Sequence, residues 1–279
     1  MTKEIAKKET TAIAKPMENH AWGAEGADAA DVLIPKLLLM QGQSEFVSEG
    51  KAKAGDIVRS TTGEILGGTA KGVEIIPFLT FKTWILSENT GSKFEYRGVA
   101  AYTADNCNDP LEWKDSGRVW RRDRCLNFYV LLPADVQREI DALNNLNKTG
   151  EFPDPKDALV PCVLSFRRTS YGAGRVLSDH FVRAASFGRP PCVSKFTLNS
   201  KIEKNDQGTY YINTVEAAGM STETQIQTCK KWYDIISANK NSVKVDESEF
   251  KEKKASPQKA SPTPKRSSMD EPLDVDNIF

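Results

Sequence analysis

Most of this chain alternates apolar and polar positions in short runs, and only two stretches carry the three-to-four spacing of a helix. The segment "VEIIPFLTFKTWIL" (73–86) is β-branched and aromatic, which suits a pleated, half-buried surface and predicts a strand. "KFEYRGVAAY" (93–102) and "RVWRRDRCLNFYVLL" (118–132) read the same way, parted by the turn-rich "TADNCNDPLEWKDSG". A second set comprises "LVPCVLSFRRTSY", "VLSDHFVRAASF", "CVSKFTL" and "GTYYINTV", all between residues 159 and 215. The glycine-rich "YGAGR" (171–175) reads as a tight turn between two of these strands. In 134–146, Val136, Ile140 and Leu143 share one helical face after Pro133. In 222–238, Thr222 and Gln225 form a capping box, and Ile226, Cys229, Trp232 or Tyr233, and Ile236 supply the apolar stripe. The pattern predicts a mainly β (α+β) core: an OB-like β barrel with two accessory helices.

The ends of the chain differ from this core. Residues 1–31 mix Ala, Glu, Lys and Thr without a lasting apolar face, and are expected to be disordered. The ordered core is expected over 32–245, opening on "VLIPKLLLMQGQSEFV", where Pro35 favours an extended start. Residues 246–269 contain the unit KASP twice among further Pro, Lys and Ser, the composition of a flexible basic linker. Residues 270–279, "DEPLDVDNIF", carry four acids and no base, and close on Ile278 and Phe279.

Charge alters this picture only when read regionally. The 38 bases and 38 acids cancel overall, yet 32–245 holds 28 bases against 24 acids, so the core is mildly basic. Hydrophobic content of 39% with 27% charged residues describes an ordinary soluble protein, and nothing is long and apolar enough for a signal peptide or a membrane span. Cytoplasmic location without membrane association is the expectation. Five scattered cysteines without a CxxC pair read as reduced core thiols, not as a zinc knuckle or disulfide scaffold.

Catalytic chemistry finds little support. The histidines are His20 and His180, and on a strand His180 and its neighbour Asp179 would point to opposite faces. "YGAGR" lacks the Gly-Lys-Ser/Thr of a phosphate-binding loop, and no carboxylate cluster implies paired metals. The reading is therefore a protein without enzymatic activity, cofactor or metal.

Basic and aromatic residues interleave more informatively. Strand alternation places Arg118, Trp120, Arg122 and Arg124 on one face, three guanidiniums around one indole. "FKTW" adds Lys82 and Trp84, "KFEYR" adds Tyr96 and Arg97, and "FRRTSYGAGR" adds Phe166, Arg167, Arg168, Tyr171 and Arg175. Single-stranded nucleic acid calls for that mixture, because bases stack on aromatic faces at about 1–3 kcal/mol each while cations follow the phosphates. These thirteen residues are the expected DNA-binding set. Asp270, Glu271, Asp274, Asp276, Ile278 and Phe279 are the expected partner-binding set, with acids for a basic rim and an apolar end for a pocket. The same acids could also fill the protein's own basic groove until nucleic acid displaced them.

"DEPLDVDNIF" resembles the acidic tip of bacterial and phage single-stranded DNA-binding proteins, and barrel, linker and tip together resemble the T7-type phage members of that group. "IPKLLLMQGQSEFVSEGKAKAGDIVRSTTGE" is similar to a stretch of uncharacterised phage proteins. The resemblance implies a protein that coats single-stranded DNA without sequence preference during replication and recombination and recruits replication enzymes through the tip. A homodimer is a further partner compatible with this reading. Here the tip has fewer contiguous aspartates than the bacterial pattern, and the linker is basic. Two other classes remain open. "KKASPQKASPTPKR", with Ser256, Ser261 and Thr263 each before proline, fits a nuclear or chromatin adaptor, and a nucleic-acid-processing enzyme such as a nuclease is the third reading.

Overall fold

A computed structural model describes residues 33–91, 94–150, 159–206, 208–239 and 244–245. The expectations for 1–31, for the linker at 246–269 and for the tip at 270–279 lie outside these described residues. The strands are β1 (Leu33–Ile34), β2 (Lys36–Leu39), β3 (Ile57–Arg59), β4 (Ile65–Gly67), β5 (Val73–Asn89), β6 (Phe94–Ala101), β7 (Glu112–Asp115), β8 (Arg118–Leu131), β9 (Cys162–Arg167), β10 (Ser194–Asn205), β11 (Gly208–Met220) and β12 (Lys244–Val245). The helices are α1 (Glu45–Ser48), α2 (Pro133–Thr149), α3 (Tyr171–Ser186) and α4 (Glu223–Ala238).

Two long strands carry the architecture. β5 and β8 pair antiparallel from Ile76↔Leu131 to Glu88↔Trp120. Their inner halves lie within one sheet of order β11-β10-β5-β8-β9-β2-β3-β4, in which only β2 and β9 run parallel. Their outer halves extend as an arm, flanked by β6 on β5 and β7 on β8. Alternation sends the inner residues to two cores. Ile75, Leu126, Phe128, Val130, Leu164, Phe166 and Phe196 form one, covered by Leu177 of α3. Ile76, Phe78, Tyr129, Leu131 and Val163 form the other, with Val136 of α2 and Cys229 and Ile236 of α4. Each large side chain so buried contributes about 1.5–3 kcal/mol, so the double-sided sheet holds the domain together.

The helices expected from periodicity are present. α2 begins with Pro133 in its first turn and ends at left-handed Gly150; Val136 and Ile140 face the core, while Leu143 is exposed. α4 has the full capping box of Thr222 and Gln225, with both hydrogen bonds made, and Trp232 rather than Tyr233 packs inward.

The stretch from Tyr171 to Ser186 corrects the sequence reading. It is helix α3, not a glycine turn followed by a strand. Gly174, Leu177 and Ala184 are buried along one helical stripe, and Phe181 packs beside them. Glycine is required at 174 for packing: a Cβ there would sit 2.7 Å from Cβ of Phe166. Thus "YGAGR" is the surface by which a helix sits close on the sheet.

The sheet is open, which departs from the expected closed barrel: its path ends at β11 and β4, with no backbone pairing between them among the described residues. Its curl is nevertheless tied across by one side chain. The Gln41 amide donates from Nε2 to the Tyr211 carbonyl (2.9 Å) and accepts the Tyr211 N–H at Oε1 (3.0 Å). It satisfies the two backbone groups that a neighbouring strand would otherwise pair. Nearby, Ser170 Oγ accepts from the Asn213 N–H (3.2 Å), so β11 is held beside the ends of β2 and β9.

All five cysteines are free, and all but half-buried Cys107 are buried. Burial pushes the Cys162 thiol up to about 12, against the pull of neighbouring Arg59. Brief iodoacetamide treatment of the native protein is expected to label Cys107 first, with Cys162 reacting only after denaturation; mass-spectrometric peptide mapping checks this. Among the described residues no helix is long and apolar enough to cross a membrane.

Candidate nucleic-acid interface

The face expected on β8 exists as a row, but it is occupied from within the chain. Trp84 on β5 stands opposite Arg124, and Trp113 on β7 stands opposite Trp120. The Trp113 and Trp120 rings stack with centroids 6.0 Å apart. The Arg122 guanidinium lies 4.5 Å from the Trp113 centroid and 5.6 Å from that of Trp84. Arg124 follows, 5.5 Å from Trp84 and 5.2 Å from Tyr102, and Lys82 sits 5.3 Å from Tyr102. The result is an alternating ladder of rings and cations, each contact contributing about 0.5–2 kcal/mol depending on desolvation.

Residues following β6 fold over this ladder. Trp84 is 1% exposed, and its Nε1 donates to Asn106 Oδ1 (2.9 Å). Arg122 donates to Asp109 (2.9 Å) and Arg124 to the Cys107 carbonyl (3.3 Å). Burying guanidiniums beside tryptophan is costly when they are unpaired. Here ring contacts and acceptors from the covering loop offset part of that cost, although Nε of Arg122 and Nε of Arg124 make no hydrogen bond. Trp84 therefore presents no face to a base, and Arg122 and Arg124 are structural cations of the arm.

The remaining expected residues fall in three places. Phe166 is fully buried in the core and offers no stacking surface, while half-buried Tyr171 packs against that core and does not line the groove described below. At the arm's tip, Arg118 (3.0 Å) and Arg97 (2.7 Å) both bind the buried carboxylate of Glu88, and Arg97 also binds Glu95; Tyr96 is half-buried on the same strand as Arg97. Arg175 is exposed on α3. Only Arg167 and Arg168 line a substantial groove.

That groove, about 930 Å³, runs along the seam tied by Gln41. Its walls come from β2, α1 and the turn after α1 (Leu39, Phe46, Lys51), from β9 and the turn after it (Ser165, Arg167, Arg168), and from β11 (Tyr210, Tyr211). Arg168 adopts the left-handed conformation (φ 48°) and grips Asp123 through Nε (2.7 Å) and Nη2 (2.6 Å). Half of its side chain still faces solvent. Tyr210 is half-buried, with its hydroxyl 3.4 Å from Glu203. Glu45 and Glu49 also line the groove, and Glu49 pairs with Lys51 (3.0 Å), so its basic character is moderate. Sequence reasoning missed Gln41, Lys51, Tyr210 and Tyr211. The adjacent tyrosines in "GTYYINTV" were the available signal, but nothing local says which groove they enter.

Fold and groove together define a mainly β protein with helices on both sheet faces and an open, mixed-charge channel along a sheet seam. A family model described as Pam3 phage gp34-like protein matches residues 6–99, roughly the first third of the chain. The chain is similar there to a phage family, which supports a phage protein. The match reaches as far as β6 and so includes the β2–α1 wall of the groove. No curated protein and no solved structure matches the chain.

Proposed function

We propose that this is a phage protein that binds single-stranded DNA without sequence preference in the seam groove, and serves replication or recombination without catalysing a reaction. The observation that carries the reading is the groove itself: Arg167, Arg168 and Lys51 along its walls, with Tyr210 as a ring on which a base can stack. The proposal moves the DNA from the Trp84–Trp120 ladder, where Arg122 and Arg124 are held against rings under the covering loop, to a channel where Lys51 and Arg168, although paired with Glu49 and Asp123, keep about half or more of their side chains exposed. The OB-like reading belongs to the same proposal, as a curled sheet whose seam stands in for barrel closure. Recruitment of replication proteins by residues 270–279 belongs to it as well.

Titration of oligo-dT against salt tests the proposal. Three groove cations predict a shallow log–log slope of about −2, since each phosphate neutralised on a single strand contributes about −0.7. Failure to bind, or binding indifferent to salt, overturns it. Incubation with magnesium is expected to leave the strand intact, and cleavage would favour a nuclease instead.

A further inference from the structure

A second cavity lies at the far end of α3 from the groove. It has a volume of about 440 Å³ and is lined by Arg183, Phe187, Arg189, Val193 and Met220, with His180 at its side. Its apolar members are unusually open: Phe187 is 78% exposed and Met220 62%. His180 is engaged elsewhere, donating from Nε2 to the Pro191 carbonyl (2.8 Å). Arg183 and Arg189 make no ion pair among the described residues, and Asp179, the only acid of α3, does not line the cavity. Two exposed cations with no carboxylate in the cavity lining, beside solvent-facing apolar side chains, make a surface suited to an acidic, apolar-ended partner.

The chain itself carries the complement. Residues 270–279 hold four acids, no base, and the apolar pair Ile278 and Phe279. We infer that this segment docks in cis on the cavity, with Ile278 and Phe279 against Phe187, Val193 and Met220, and Asp274 and Asp276 toward Arg183 and Arg189. The seam groove is the poorer host for these acids, because Glu45 and Glu49 line it and Asp123 already holds Arg168. Length permits the contact: the 25 residues from Val245 to Asp270 span at most about 80–90 Å. That exceeds the roughly 40 Å breadth expected of a domain of this size. The groove lies at the Tyr171 end of α3 and this cavity at its Ser186 end. Sixteen helical residues rise about 24 Å, so a docked segment leaves the groove open. The inference stands apart from the nucleic-acid reading.

The test uses the full chain with a photo-crosslinking p-benzoylphenylalanine in place of Phe279, irradiated without nucleic acid and mapped by peptide mass spectrometry. The expected product is monomeric, with cross-links at Arg183–Val193 or Met220. Arg183→Glu with Arg189→Glu should lower the yield at least tenfold, and adding Asp274→Lys with Asp276→Lys should restore it. That restoration separates docking from a folding defect. Cross-links at Arg167–Tyr171 or Tyr210–Asn213, a dimer-sized product, or no product would each overturn the inference.

Discussion

Replacing Trp84 with alanine is expected to cost about 3–5 kcal/mol of folding stability, the range for deleting a fully buried large aromatic. Trp84 is 1% exposed, and its ring lies 5.1 Å from the Tyr102 ring and 5.6 and 5.5 Å from the guanidiniums of Arg122 and Arg124. Removing it leaves a cavity and deprives each arginine of one aromatic face. Against a typical domain stability of about 5–15 kcal/mol, the loss is large. Urea denaturation measures it, and hydrogen exchange should show Asn106 and its neighbours losing protection as the covering loop detaches. Trp84→Phe, which keeps a ring but gives up the bond to Asn106, should cost far less. A surface tryptophan used for base stacking would behave oppositely: the alanine variant would keep its stability and lose only DNA affinity.

Tyr210→Ala is expected to weaken oligo-dT binding by about 1–3 kcal/mol, roughly 5- to 150-fold, if its ring is the stacking platform of the groove. Stability should change little, because Tyr210 is half-buried and its hydroxyl makes one long contact to Glu203. Arg167→Ala is expected to add a different signature, a shallower salt slope, because it removes a groove-lining cation and no ring. Titration of each variant at two salt concentrations separates the contributions. Arg122→Ala serves as the comparison: it should cost stability in the arm and leave the affinity of the folded protein unchanged.

These contrasts mark where the sequence was legible. β5 and β8 were recognisable because β-branched and aromatic runs of that length have few alternatives, and α4 because Thr222 and Gln225 announce its start. α3 was hidden. Gly172 and Gly174 look like turn residues, and Val176, Phe181 and Val182 look like strand residues, whereas the buried stripe from Gly174 through Leu177 to Ala184 is helical. Local propensity lost there to packing against Phe166, a contact between elements. Alternation correctly grouped Trp120, Arg122 and Arg124, but their environment depends on Asn106, Cys107 and Asp109 folding back over β8. A pattern within one strand carries no record of that loop. The groove was least legible, since its seam joins Gln41 to Tyr211 across 170 residues of sequence.

The central claim is that single-stranded DNA lies in the Gln41–Tyr211 seam. Ultraviolet cross-linking of an iododeoxyuridine-substituted oligonucleotide to the full chain, followed by peptide mapping, tests it most directly. Adducts are expected at Tyr210, Tyr211 or Phe46, reduced by competing oligo-dT. Adducts confined to Trp113, Trp120 or Tyr102, or no specific adduct at all, would contradict it.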